Sequence, residues 1–272
     1  QPLYSEPRSY ERELQIALDA AREAGDNLLR HYRGGTESWE KSEDNPVTLA
    51  DLESDRAIAA RLRTAFPDDG MLSEESISDP IRLQKRRVWI VDPMDGTKEF
   101  TKRIPEFAVS IALVEDGEPV MGVIRNPAAD VTVWASKDDG AFLDGKRVRV
   151  SSVGRLEDSV MIASRTEISR EKFKNHQDWF TEIRPVGSIA WKLACIACGE
   201  GDLNISLAPK NEWDVCAGDV LVREAGGVYT AFDGSTRVYN QVDPLIEAFM
   251  AAGPAELVRA FCEREQARSR DG

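Results

Sequence analysis

The stretch Trp89-Ile90-Val91-Asp92-Pro93-Met94-Asp95-Gly96-Thr97-Lys98-Glu99-Phe100 decides how the rest of the chain is read. An apolar run from Val88 to Val91 stops at two acids that bracket a proline, and Gly-Thr follows at once. Short apolar runs closed by turn residues form buried strands. Pro93 cannot extend that strand as a central member, and Gly96 loosens the backbone for a sharp turn. The pattern predicts a strand end at Asp92, a tight loop carrying Asp95, and a helix starting near Thr97. Two carboxylates held that closely repel unless a cation lies between them. Hard oxygen ligands suit magnesium, manganese or calcium rather than zinc. Backbone N–H groups at Gly96 and Thr97, at a helix start, would offer an anion seat beside the metal. An ordinary strand-to-turn corner uses the same residue types for conformational reasons, so the surrounding sequence has to choose.

Towards the N-terminus, residues 9 to 33 carry a helical period (Leu14, Ala17, Leu18, Ala21, Leu28, Tyr32) closed by Gly34-Gly35. Glu37 to Asp44 read as a polar loop ending at Pro46. Thr48 is placed to cap a second helix with Asp51 in its first turn. Leu52, Ile58, Leu62 and Phe66 form its apolar face, with Asp51 and Asp55 one turn apart on another. The helix dipole alone accounts for Asp55, whereas Asp51 is kept as a site candidate. Met71-Leu72-Ser73 forms a short strand that leads into Glu74-Glu75.

Towards the C-terminus, Phe107 to Val150 alternates apolar and polar residues. Strands are expected at 108–114, 120–124, 131–135, 141–143 and 148–150, punctuated by Asp116-Gly117, Asp139-Gly140 and Asp144-Gly145. This is an antiparallel meander that the first two helices can cover. Beyond Ser151-Ser152 strands and helices alternate. The helices are expected at 171–180, 189–198, 215–225 and from Pro254-Ala255 to Phe261. The chain is accordingly divided into residues 1–152, with the metal motif, and 153–272, with substrate-binding elements.

The 272 residues carry a net charge of −13, which argues against a nucleic-acid polymer as partner. No apolar run approaches a membrane span and no signal peptide is visible, so the cytoplasm is the expected location. An acidic protein that handles phosphate must reverse its field locally, through metal ions or a few placed cations. Cys195-x-x-Cys198 has no second such pair, and the two histidines, His31 and His176, are remote in sequence. All four cysteines read as small apolar residues.

Three pieces stand in one order: Leu72-Ser73-Glu74-Glu75, then Asp92-Pro93-Met94-Asp95-Gly96-Thr97, then Trp213-Asp214-Val215-Cys216-Ala217-Gly218. Together they resemble the inositol monophosphatase superfamily of magnesium-dependent, lithium-sensitive phosphatases, from the first helix to residue 261. The resemblance implies a layered αβαβα sandwich of α+β or α/β class, with an antiparallel sheet half followed by a mixed half. It implies metal ligation by Glu74, Asp92, Asp95, Asp214 and the Met94 carbonyl. It also implies a water-orienting role for Thr97, backed by Asp51, and phosphate contacts from the N–H groups of Gly96 and Thr97. Two or three magnesium ions are expected, with manganese as a substitute and lithium as an inhibitor. Two metals roughly 3.5–4 Å apart clamp an in-line displacement, so direct attack by water is expected rather than a covalent phosphoenzyme.

The residues after the central motif, Lys98-Glu99-Phe100, resemble the 3′(2′),5′-bisphosphate nucleotidase branch, as do Ser164-Arg165 and Val186-Gly187-Ser188-Ile189-Ala190-Trp191-Lys192. A substrate with two phosphates needs a second anion seat. Lys192, the N–H groups of Gly187 and Ser188, and a bidentate Arg165 are the candidates. The expected reaction removes the 3′-phosphate of adenosine 3′,5′-bisphosphate to give AMP, which implies sulfur assimilation. Inositol monophosphatase or fructose-1,6-bisphosphatase activity is the alternative within the same chemistry. A non-catalytic phosphate- or metal-sensing relative is the alternative outside it. Homodimerisation is also implied by the resemblance. The lead-in Leu207-Ala208-Pro209-Lys210-Asn211-Glu212 departs from the branch's pattern and leaves base recognition unassigned.

Overall fold

The computed structural model describes residues 10–34, 38–42, 45–75 and 79–271. Helices α1 (Glu11–Gly34) and α2 (Leu49–Ala65) flank a hairpin of β1 (Ser38–Ser42) and β2 (Asn45–Thr48). A seven-stranded sheet follows in simple spatial order: β3 (Gly70–Ser73), β4 (Arg87–Asp95), β5 (Ala108–Glu115), β6 (Glu118–Asn126), β7 (Val131–Ser136), β8 (Gly140–Leu143) and β9 (Lys146–Val148). Only β3 and β4 pair in parallel; the others are antiparallel. The short helix α3 (Thr97–Thr101) lies between β4 and β5.

The second half runs β10 (Val160–Ser164), α4 (Arg165–Ser169), β11 (Glu182–Val186), α5 (Ile189–Ala197), β12 (Leu203–Ser206), β13 (Lys210–Asn211) and α6 (Glu212–Glu224). It ends with β14 (Val228–Ala231), β15 (Leu245–Ile246), β16 (Met250–Gly253) and α7 (Ala255–Asp271). Its five-stranded sheet has the order β11-β10-β12-β16-β14, and β13 pairs with β15 apart from it.

Successive residues of a strand face opposite sides of the sheet, and the apolar run of β4 is buried on both. Trp89 and Val91 pack under Leu14, Leu28, Ile58 and Leu62 of α1 and α2. Val88 and Ile90 face Leu193 of α5 and Val220 of α6, whose cluster extends to Ile162 and Ala252 of the five-stranded sheet. Beyond that sheet, α7 contributes Leu257 and Phe261 to a third cluster with Phe173 and Trp179. The layers therefore run αβαβα. Each fully buried Leu or Ile contributes about 1.5–3 kcal/mol. At Gly122 on β6 a Cβ would lie 2.7 Å from the Ala217 carbonyl oxygen, so the missing side chain lets the α6 backbone sit against the sheet. Among the described residues, no helix is long and apolar enough to cross a membrane.

Several elements differ from the expectations. Ser38–Ser42 and Asn45–Thr48 form an antiparallel hairpin, not a polar loop; residues 35–37 and 43–44 lie outside the described ones. Strand β4 does not stop at Asp92. It runs through Pro93 to Asp95, because a register shift between Asp92 and Asp95 makes a bulge there and β3 has already ended opposite Val91. Proline needs no ladder donor at a bulge. The helix expected at 171–180 is instead α4 and a 3₁₀ turn over Lys174–Trp179. Ser164 caps α4 early, and Glu171 adopts a φ of 55°. Phe173, His176 and Trp179 then recur every third residue, the 3₁₀ period, to reach Phe261. Strand β9 begins at Lys146 because Asp144 (φ 45°) and Gly145 (φ 84°) form a two-residue turn. Helix α6 starts at Glu212 because Asn211 and Asp214 cap it, and α7 continues well past Phe261.

Candidate metal centre

The bulge in β4 turns Asp92 and Asp95 towards the first turn of α6. Carboxylate oxygens of Asp92, Asp95 and Asp214 all lie within 4.8 Å of one another. Asp92 is 1% exposed. Its Oδ1 accepts from the Met94 N–H at 3.0 Å, and its Oδ2 is buried without a hydrogen-bond partner. Burial pushes the Asp92 carboxyl well above the usual range, and the charges of Glu74, Asp95 and Asp214 push it further. Asp214 is pushed up to about 7, first by burial and then by Asp95. An all-oxygen cluster with an orphaned buried acceptor is the donor set of a hard divalent cation, whose charge would reverse that shift. Glu74, Met94, Gly96 and Thr97 line the same cavity of about 260 Å³ as the three aspartates.

Helix packing supplies the next layer. Asp51, third residue of α2, is 1% exposed. It accepts from the Thr48 N–H (2.7 Å) and hydroxyl (2.6 Å) through Oδ2. The Thr97 hydroxyl lies 3.1 Å from Asp51 Oδ1 and 3.1 Å from the Met94 carbonyl oxygen. When its one proton goes to Asp51, its lone pairs are left to accept from a third group. Burial raises Asp51 to about 6, against the bonds from Thr48 and Thr97 that favour the carboxylate. Gly96 holds a φ of 95°, and a Cβ there would lie 2.8 Å from the Glu106 carbonyl oxygen, so the turn between Asp95 and Thr97 admits only glycine.

The N-terminus of α5 closes over Asp95. The Ser188 hydroxyl donates to Asp95 Oδ2 at 2.6 Å, the Ala190 N–H donates to the same oxygen at 2.7 Å, and Ser188 also caps the helix through Trp191. A cleft of about 430 Å³ shares Asp95, Gly96, Lys98, Glu99 and Asp214 with the metal cavity and continues past Ser164, Arg170, Lys172, Gly187, Lys192 and Lys210. Lys192 is buried, bonded to the Val186 carbonyl at 3.3 Å, and lowered to about 8 by burial.

Two expected anion contacts take a different form. Arg165 does not line the cleft, because Glu106 holds its guanidinium at 2.6 and 2.9 Å. The Gly187 N–H is likewise given to Glu106 at 2.6 Å. Trp191 packs on the core between the sheets. Lys98 and Glu99 line the cleft. Sequence reasoning missed Glu106, the cleft cations Arg170 and Lys172, and Asp55, which is 6% exposed. Asp55 accepts from the Ser73 hydroxyl, next to Glu74. Its spacing of four from Asp51 and three from Ile58 places it on the buried face of α2, a legible signal. The four cysteines are free thiols.

Comparison with known proteins matches the inositol monophosphatase family over residues 9–266. A fructose-1,6-bisphosphatase/inositol-1-monophosphatase of Thermotoga maritima is 34% identical over 224 residues, 81% of this chain and 85% of that protein. The 3′(2′),5′-bisphosphate nucleotidase CysQ of Salmonella typhimurium is 35% identical over 235 residues, 84% of this chain and 94% of that protein. The crystal structure of the extragenic suppressor protein suhB from Bartonella henselae superposes with a TM-score of 0.81 at 33% identity, covering 93% of this chain and 98% of that one.

Proposed function

The chain belongs to the inositol monophosphatase family of magnesium-dependent phosphatases, and within it we propose that this member hydrolyses the 3′-phosphate of adenosine 3′,5′-bisphosphate to give AMP and phosphate. One observation carries the substrate reading. In a protein of net charge −13, the cleft adjoining the three aspartates gathers Lys98, Arg170, Lys172, Lys192 and Lys210 against only Glu99 and Glu167 beyond those aspartates. A phosphate monoester with one phosphate needs only the metal centre, whereas a bisphosphate needs a second positive chamber beside it. Lys192, buried at its wall, is the cation assigned to that phosphate.

Glu74, Asp92, Asp95, Asp214 and the Met94 carbonyl would hold magnesium. Bound there, the ions supply charge stabilisation at the phosphoryl oxygens and a more acidic water. The chain's own contribution is orientation. Asp51 holds the Thr97 proton, so the Thr97 oxygen accepts from the attacking water and aims its lone pair at phosphorus, opposite the departing 3′-oxygen. Substitution by manganese and inhibition by lithium belong to the same proposal.

Phosphate release from adenosine 3′,5′-bisphosphate, inositol 1-phosphate and fructose 1,6-bisphosphate, with magnesium and then with EDTA, tests it. Preference for the nucleotide, abolished by EDTA, is the expected result. Preference for a sugar or inositol phosphate would refute the substrate and keep the metal centre. No turnover of any of them would favour a non-catalytic role.

A further inference from the structure

Glu106 lies on the loop that enters β5, 59 residues before Arg165 and 81 before Gly187, yet its carboxylate gathers both. Oε1 accepts from Arg165 Nη2 at 2.6 Å. Oε2 accepts from Arg165 Nε at 2.9 Å and from the Gly187 N–H at 2.6 Å. The Glu106 side chain is 20% exposed and that of Arg165 37%, so these three bonds are partly sheltered from water.

What this carboxylate grips is the start of α5. Gly187 admits no side chain, since a Cβ would fall on the Glu99 side chain. Ser188, the next residue, is held at a φ of 57°, a left-handed conformation that costs a non-glycine residue energy and persists only where its surroundings fix it. Ser188 and Ala190 in turn hold Asp95, and Lys192 follows one half-turn later. The Glu106 backbone meets Gly96 on the other side, so one residue touches both the metal loop and the element that faces it.

We propose that Glu106 is a positioning residue: its bridge to Arg165 and Gly187 fixes the start of α5, and with it the spacing between Asp95 and Lys192. The inference rests on the reading of Lys192 as the seat of a second phosphate. Arg165 then acts through Glu106 and touches no substrate.

The test compares kcat and KM of the wild-type, Glu106→Gln, Arg165→Met, Lys192→Met and Glu106→Gln/Lys192→Met proteins on adenosine 3′,5′-bisphosphate and inositol 1-phosphate, with melting temperature as the check on folding. Glu106→Gln and Arg165→Met are expected to raise KM for the bisphosphate about tenfold, the worth of one charge-assisted hydrogen bond. KM for the monophosphate should stay within about threefold. The double variant should be no worse than Lys192→Met alone, because the lost positioning acts through that lysine. An unchanged KM ratio in both single variants, or an additive double variant, overturns the proposal. If Glu106→Gln melts early, Arg165→Met, which spares the Gly187 bond, carries the same comparison. Should the wild type ignore the nucleotide, the substrate reading fails. The clamp is then judged on the preferred ester, where additivity of Glu106→Gln and Lys192→Met in KM refutes it.

Discussion

Replacing Thr97 by valine removes one hydroxyl and keeps the β-branched shape. In the wild type that hydroxyl lies 3.1 Å from Asp51 Oδ1, and in the proposed mechanism it is the group through which a buried carboxylate reaches the attacking water. Positioned proton acceptors contribute about 10²–10⁴-fold to rate, which corresponds to about 2.7–5.4 kcal/mol of barrier. The expected loss in kcat therefore lies in that range. Asp51 keeps the two donors from Thr48, so the fold should survive with a cost of about 1 kcal/mol. Magnesium affinity should fall little, because the carboxylates of Asp92, Asp95 and Asp214 are untouched and the Met94 carbonyl loses only the Thr97 hydroxyl 3.1 Å away. Initial-rate phosphate release at saturating magnesium reads the first quantity and calorimetric magnesium titration the second. Asp51→Asn should give a similar loss, and the double variant should lose little more than either single one, since both act on one proton. A Thr97→Val enzyme with kcat within about threefold of wild type and intact magnesium binding would refute the relay.

Lys192→Met, which keeps length and loses charge, should raise KM for adenosine 3′,5′-bisphosphate by about tenfold or more while sparing inositol 1-phosphate. It should not destabilise the protein in urea titrations, since burial already holds the ammonium down near about 8. Asp219, raised to about 6 by burial despite its contacts with Arg223 (2.7 Å) and Tyr239 (2.8 Å), gives a pH signature. Its raised folded value means that the associated stability is present below about 3.8 and is lost as pH rises through about 6. The loss is about 3 kcal/mol by linkage. Urea unfolding across that window should show a fall that is smaller by about this amount in Asp219→Asn than in wild type, the raised carboxyls of Asp51 and Asp214 acting equally in both; parallel curves for the two proteins would contradict it. Gly122→Ala should cost about 1–3 kcal/mol, because a Cβ 2.7 Å from the Ala217 oxygen must push α6 off the sheet. An unchanged melting temperature would count against that close contact.

The parts of the site that were legible in the sequence are those written in local spacing. Asp92, Asp95, Gly96 and Thr97 lie within six residues, and chain stereochemistry alone dictates strand, turn and helix there. Asp51 was legible through its cap with Thr48. Pro93 misled about the strand end because a bulge, a property of the pairing with β5, decided its tolerance. Arg165 was assigned to a ligand because nothing local names Glu106 as its partner across 59 residues. Asp55 was dismissed because the dipole argument was sufficient by itself, although its spacing from Ile58 already placed it on the buried face of α2, where its carboxylate accepts from Ser73 of β3. The segment 171–180 was read as an α-helix, since the difference between a period of three and one of 3.6 residues is too small to detect over so short a segment.

The shared middle layer has a consequence for the order in which the protein is made. Residues up to Val148 supply the whole seven-stranded sheet and the helices that cover one of its faces. The other face stays bare until residues 189–224 leave the ribosome and α5 and α6 dock on it. Asp214 arrives with the same segment. A nascent chain therefore carries a sticky, uncovered sheet until that segment has emerged, and it gains the third aspartate of the acidic cluster in the step that hides that surface. The acidic cluster is completed and the sheet made safe from aggregation together.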